Sequence, residues 1–128
     1  MSFADDYPKQ FKTFFDAYIT CALWSSADPE TDESYEGCTV APESLEALKE
    51  DCEDFLEVNY DLLFRHAFCD ISGVLTRAGH DFWLTRNRHG AGFWDGDWGD
   101  FGTLLTERSQ VYGSVDVGLG DDGLVHFS

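Results

Sequence analysis

HDFWLTRNRHGAGFWDGDWGD, residues 80–100, holds three of the four Trp, two of the four His and four of the twelve Gly. Its first six residues, His80 to Thr85, are rich in strand formers, and Ala91-Gly92-Phe93-Trp94 makes a second such run. Arg86-Asn87-Arg88-His89-Gly90 lies between them, so the pattern predicts a β-hairpin with a basic tip. Asp95–Gly102 then reads as a Gly-Asp loop.

Downstream, Leu104, Leu105, Arg108, Val111 and Tyr112 are spaced for one face of a helix over about residues 102–112, with Gly113 past its end. Val115–Leu119 and Leu124–Phe127 flank Gly120-Asp121-Asp122-Gly123 as a second hairpin. Upstream, residues 70–79 (DISGVLTRAG) read as a connection punctuated by Gly73 and Gly79. Before that the chain is helical and acidic. Tyr7, Phe11, Phe14, Tyr18 and Ala22, widened by Phe15 and Ile19, form the apolar stripe of a helix ending near Trp24, with Pro8 suited to its first turn. Core packing accounts for that stripe. Residues 25–42 make a polar connection with five acids, Asp28, Glu30, Asp32, Glu33 and Glu36, and no base.

Pro42 opens a second helix. Leu45, Leu48, Cys52, Phe55, Asn59, Leu62, His66 and Cys69 keep a three-four rhythm over some seven turns, with a break near Asn59 as the alternative. The expected fold is α+β: N-terminal helices, then hairpin, helix and hairpin, giving a four-stranded, mostly antiparallel sheet. A chain of 128 residues forms one domain, with an acidic helical part over 1–69 and a ββαββ part over 80–128.

Charge is the outlying property. Twenty-five Asp and Glu against eight Lys and Arg give −17. Residues 1–64 hold sixteen acids and three Lys, so the field is concentrated there. It repels nucleic acid and anionic membrane and favours basic partners. Glu43, Glu46, Glu50, Glu53 and Glu57 repeat with helical rhythm, Asp51, Asp54 and Asp61 run alongside, and Lys49 interrupts them. Such like-charge neighbours cost a few tenths of a kcal/mol per pair. A solvated face that tolerates this cost is the bland explanation. The sharper one is a row of carboxylates imitating a phosphate backbone. Residues 43–57 span about 21 Å and carry roughly one net charge per 3.5 Å, close to the spacing along one DNA strand.

Chemistry is harder to find. Cys21, Cys38, Cys52 and Cys69 are too far apart for metal-binding pairs, and the N-terminus carries no basic-then-apolar leader. Reduced thiols in a cytoplasmic protein are expected, with no membrane span. Asp95 to Asp100 departs from a calcium loop at Gly99, Asp100 and Thr106. His80, Asp81, Asn87 and His89 on a ββα unit invite a metal-nuclease reading, but a nuclease must approach phosphate. Satisfied strand-start polar groups, and an Arg86 paired with a carboxylate, are the simpler account. Trp83, Phe93, Trp94 and Trp98 fit a core as well as a ligand platform. No catalytic residue, metal or cofactor is expected.

Residues 78–95 (AGHDFWLTRNRHGAGFWD), 105–125 (LTERSQVYGSVDVGLGDDGLV) and 51–63 (DCEDFLEVNYDLL) resemble a family of small uncharacterised proteins encoded by bacteriophages and other mobile elements. The resemblance covers about residues 45–127; the first helix and acidic loop lie outside it, and residues 65–77 look lengthened. It implies a phage source and no chemistry. Small acidic phage proteins are often inhibitors of host defence, anti-CRISPR proteins among them, which is an association rather than a derivation. The expected function is a non-enzymatic inhibitor, in the host cytoplasm, of a basic nucleic-acid-binding protein such as a CRISPR effector subunit, without direct nucleic-acid or membrane contact. Glu43, Glu46, Glu50, Glu53, Asp54 and Glu57 would present the charge, aided by Asp28, Glu30, Asp32, Glu33 and Glu36. The alternatives are an accessory or structural phage protein binding through the 80–100 hairpin, and a metal-dependent enzyme. Oligomeric state is left open.

Overall fold

The computed structural model describes residues 3–27, 31–65, 70–88, 92–93 and 98–128, with side chains from Tyr7 onward. These residues form helices α1 (Phe3–Ser25), α2 (Pro42–Arg65), α3 (Ile71–Arg86) and α4 (Gly102–Gln110), then strands β1 (Val117–Leu119) and β2 (Val125–Phe127). The α1 stripe packs as its spacing implies: Phe11, Phe14, Tyr18 and Ala22 are buried. The helix begins at Phe3, however, so exposed Pro8 sits inside it rather than at its first turn. α2 runs unbroken through Asn59, whose Nδ2 donates back to Phe55 O at 3.0 Å.

The expected first hairpin does not exist. Residues 71–86, read as a connection followed by a strand, are one helix, and among the described residues the sheet has two strands, not four; of the expected second strand, Ala91 and Trp94 lie outside the described residues. Three local features make α3. Asp70 caps its N-terminus, accepting the Gly73 N–H at 2.8 Å. Val74, Leu75, Ala78, Phe82 and Trp83 recur at three- and four-residue steps and are buried. At the other end Asn87 Nδ2 donates to Trp83 O, and Arg88 takes the left-handed conformation that stops the helix. Gly79 is no breaker either. A Cβ there would lie 2.3 Å from Phe14 O, so the glycine lets α3 approach the α1 backbone. Tertiary packing outweighs the strand preference of Phe82-Trp83-Leu84-Thr85.

One apolar cluster joins all four helices. At its centre Phe55 of α2 stacks on Phe82 of α3 with ring centroids 4.1 Å apart, and Phe14 and Tyr112 close around them. Burying each such ring stabilises the fold by about 1.5–3 kcal/mol. The second hairpin is as expected: β1 and β2 pair antiparallel with Gly118 opposite His126, and Gly120 N–H donates to Leu124 O at 2.8 Å across the turn. β2 also draws in the segment before α2, since Val125 bonds both Thr39 and Ala41. Phe127 N–H donates to Ser44 Oγ, which fixes the hairpin to the first turn of α2.

Candidate functional site

The buried residues of α2 are Ser44, Leu48, Cys52, Phe55, Leu56, Asn59, Leu62 and Leu63. At about 100° per residue, Glu43, Glu46, Glu50, Glu53, Asp54 and Glu57 fall within roughly 100° on the opposite side. Five of these six are exposed and Glu53 is half-buried. The structure therefore gathers these six carboxylates onto one face of α2. The field of the row reaches α1: burial, then the charges of Glu53 and Glu57, push the Tyr7 hydroxyl above its ordinary pKa. At the upper end Glu43 Oε1 lies 3.6 Å from His126 Nδ1, and Asp54 accepts the Tyr112 hydroxyl at 2.5 Å.

Asp51 interrupts the pattern. Its carboxylate leaves the row and accepts Arg86 Nη1 at 3.0 Å. The remaining six acids and Lys49 give about one net charge per 4 Å, slightly sparser than a DNA strand. Of the loop acids, Asp32, Glu33 and Glu36 are exposed, while Asp28 and Glu30 lie outside the described residues. Buried Tyr35 donates its N–H to Leu23 O at 3.0 Å, which holds this connection against the end of α1.

The residues expected at a basic hairpin tip, and the aromatics around them, are placed differently. Arg86 is 3% exposed. Its guanidinium donates to Tyr18 Oη, Asp51 Oδ2, Tyr112 O and Gly113 O at 2.9–3.1 Å, and it lies over the Phe82 and Tyr112 rings. Buried Asp81 accepts Trp98 Nε1 at 2.7 Å and lies 3.6 Å from Arg77 Nε. Asn87 Oδ1 accepts the Val115 N–H at 2.7 Å. Trp83, Phe93 and Trp98 are core residues, not a platform. Partial burial and the Arg77 charge hold the His80 imidazole below its ordinary pKa. His89, Trp94 and residues 95–97 of the Gly-Asp loop lie outside the described residues, and Gly99–Phe101 is a short 3-10 turn leading into α4. Among the described residues no group of three His, Cys, Asp or Glu is placed to hold a metal ion. Cys21, Cys38 and Cys52 are free thiols; burial pushes Cys21 up to about 12 and raises Cys52 as well. No described helix is long and apolar enough to cross a membrane.

Two grooves flank the acidic face. One, of about 460 Å³ between α1 and α2, is floored by Phe11, Phe15, Pro42 and Leu45 and rimmed by Lys12, Asp16, Glu46 and Lys49. The other, of about 350 Å³ between α2 and α4, has Val58 and Val111 in its walls. The expectation that Leu104 and Val111 share the buried face of α4 with Leu105 is wrong: Leu105 is buried, and the other two are exposed. Val58 stands off the three-four rhythm of its helix, and that was the available signal.

Comparison with protein-family models, with curated proteins and with solved structures returned no match.

Proposed function

We propose that this protein is a non-enzymatic inhibitor that occupies the nucleic-acid-binding surface of a basic protein. The outer face of α2 takes the place of a phosphate backbone. The single observation behind this reading is the segregation of charge on α2: six carboxylates share one solvent face, interrupted by Lys49, while the one inward carboxylate, Asp51, is consumed by Arg86. A helix shaped only by hydration would intersperse bases to relieve the repulsion. The exposed loop acids Asp32, Glu33 and Glu36 extend the same field. Anti-defence proteins of phages, acting in the host cytoplasm on CRISPR effectors, are the version of this reading to which the sequence resemblance belongs. Binding through a basic hairpin at residues 80–100 has lost its basis, because that segment supplies a helix and core residues.

The test is capture at two ionic strengths. A bacterial lysate containing CRISPR effector complexes is passed over the immobilised protein, and the retained proteins are identified. The expected outcome is a basic nucleic-acid-binding complex that is lost at high salt and displaced by added DNA. The variant carrying Glu46→Lys, Glu50→Lys and Glu53→Lys retains none of it. A partner that withstands both salt and DNA, or binds the triple variant equally, defeats the reading.

A further inference from the structure

Charge alone does not account for the α4 side of the acidic face. Val58 is 63% and Val111 83% exposed, and both line the α2–α4 groove with Asp54, Asn59, Arg108 and Tyr112. Leu104, 38% exposed, stands one heptad before Val111 on the same side of α4. Two polar contacts cross the groove. Arg108 Nη1 donates to Asn59 Oδ1 at 2.9 Å, and the Tyr112 hydroxyl donates to Asp54. A branched aliphatic side chain faces solvent on each side, with exposed Arg108 beside Val111 and the carboxylates of Asp54, Glu57 and Asp61 along α2.

Resting on the function proposed above, we infer that the acidic face and this groove form one interface. The partner's basic segment seats an aliphatic side chain between Val58 and Val111, and its Lys or Arg neighbours meet Asp54 and Glu57. Exposure chooses this groove over the α1–α2 groove: Val58 and Val111 stand out into solvent beside the carboxylates, whereas Phe11 is buried and Phe15 and Leu45 are half-buried on a rim where Lys12 and Lys49 balance Asp16 and Glu46. Arg108 is the cation of this lining; Asn59 holds its Nη1 along α2, and the exposed carboxylates of Asp54, Glu57 and Asp61 outnumber it. An aliphatic anchor inside a charged rim is the usual arrangement of a specific contact. It also gives what mimicry lacks, a part of the binding that salt does not screen.

The test uses the full chain and two short basic helical peptides of identical charge, one with a central leucine and one with serine there. Binding is read by fluorescence anisotropy at low and high salt. The leucine peptide is expected to bind about tenfold more tightly than the serine peptide at both salts. That lead disappears in the Val58→Ser, Val111→Ser double variant, whose melting curve confirms the fold, since both side chains are exposed. Equal binding of the two peptides overturns the groove while leaving the charge reading in place. A lead that survives the double variant overturns it too, by putting the leucine elsewhere. If neither peptide binds at low salt, the acidic face itself has failed, and the inference falls with it.

Discussion

Glu50 and Asp51 are neighbours in the chain and opposites in the molecule. Glu50 stands in the exposed row on the outer side of α2, whereas Asp51 turns toward Arg86 and joins α2 to α3, α1 and the segment after α4. Both regions are made of charge. In the inner one each carboxylate or hydroxyl has a designated donor, and a guanidinium out of water stays there because its hydrogen bonds and two ring faces replace hydration. In the outer one like charges stand side by side on a solvent face. The lesson is that conspicuous residues of the 80–100 stretch, Trp83, Trp98 and Arg86, hold the structure together. The monotonous acidic repeat is what the fold displays.

The comparison breaks most severely at Arg86. Arg86→Ala leaves the Tyr18 hydroxyl, the Asp51 carboxylate and two carbonyls without their donor, and should cost about 3–5 kcal/mol in urea unfolding. Asp51→Asn should cost less, because Asp51 is 39% exposed and water can replace part of its contact. Next comes Gly79→Ala. The added Cβ would meet the Phe14 carbonyl, so α1 and α3 must move apart, at about 1–3 kcal/mol by the same measurement. The outer face should respond in the opposite sense. Glu46→Lys, Glu50→Lys and Glu53→Lys together relieve repulsion, and stability should stay within about 0.5 kcal/mol of the parent or rise slightly. A large loss there would mean that the row is structural, and would erase the contrast.

The smallest effect is one of pH. His80 has a folded pKa below its unfolded value, so near neutrality the unfolded chain binds more protons and stability rises with pH. The contribution is complete above the unfolded value and is lost as pH falls below it toward the folded one. Unfolding midpoints measured between about pH 7 and pH 5 should therefore fall with acid, and fall less in His80→Gln.

Much of the architecture was legible in the residues. The stripe from Phe11 to Ala22, the rhythm from Leu48 to Leu62 and the turn at Gly120–Gly123 each satisfy a local rule, and each becomes the expected element. α3 was missed although Val74, Ala78 and Phe82 keep a four-residue step, because its other signals were tertiary or understated. Gly79 resembles a breaker until α1 is packed against it, and Asp70 three residues before Gly73 is a modest cap set against four strand formers. The acidic row could be read from spacing. That Asp51 would leave it, and that Val58 would find Val111 across a groove, depends on where α3 and α4 settle, which no window of α2 contains.

The Arg86 cluster also bears on the order of events in folding. Its side-chain partners Asp51 and Tyr18 lie 35 and 68 residues earlier in the chain, and its carbonyl partners 26 and 27 residues later. No two neighbouring elements can assemble it alone; three helices and the turn after the fourth must already be in position. Contacts of such sequence separation form late, once loop closure has been met by other burial. The guanidinium then works as a latch on a nearly finished molecule. Weakening it through Asp51→Asn should speed unfolding and leave the folding rate almost unchanged, so that the lifetime of the native state, more than its formation, is set there.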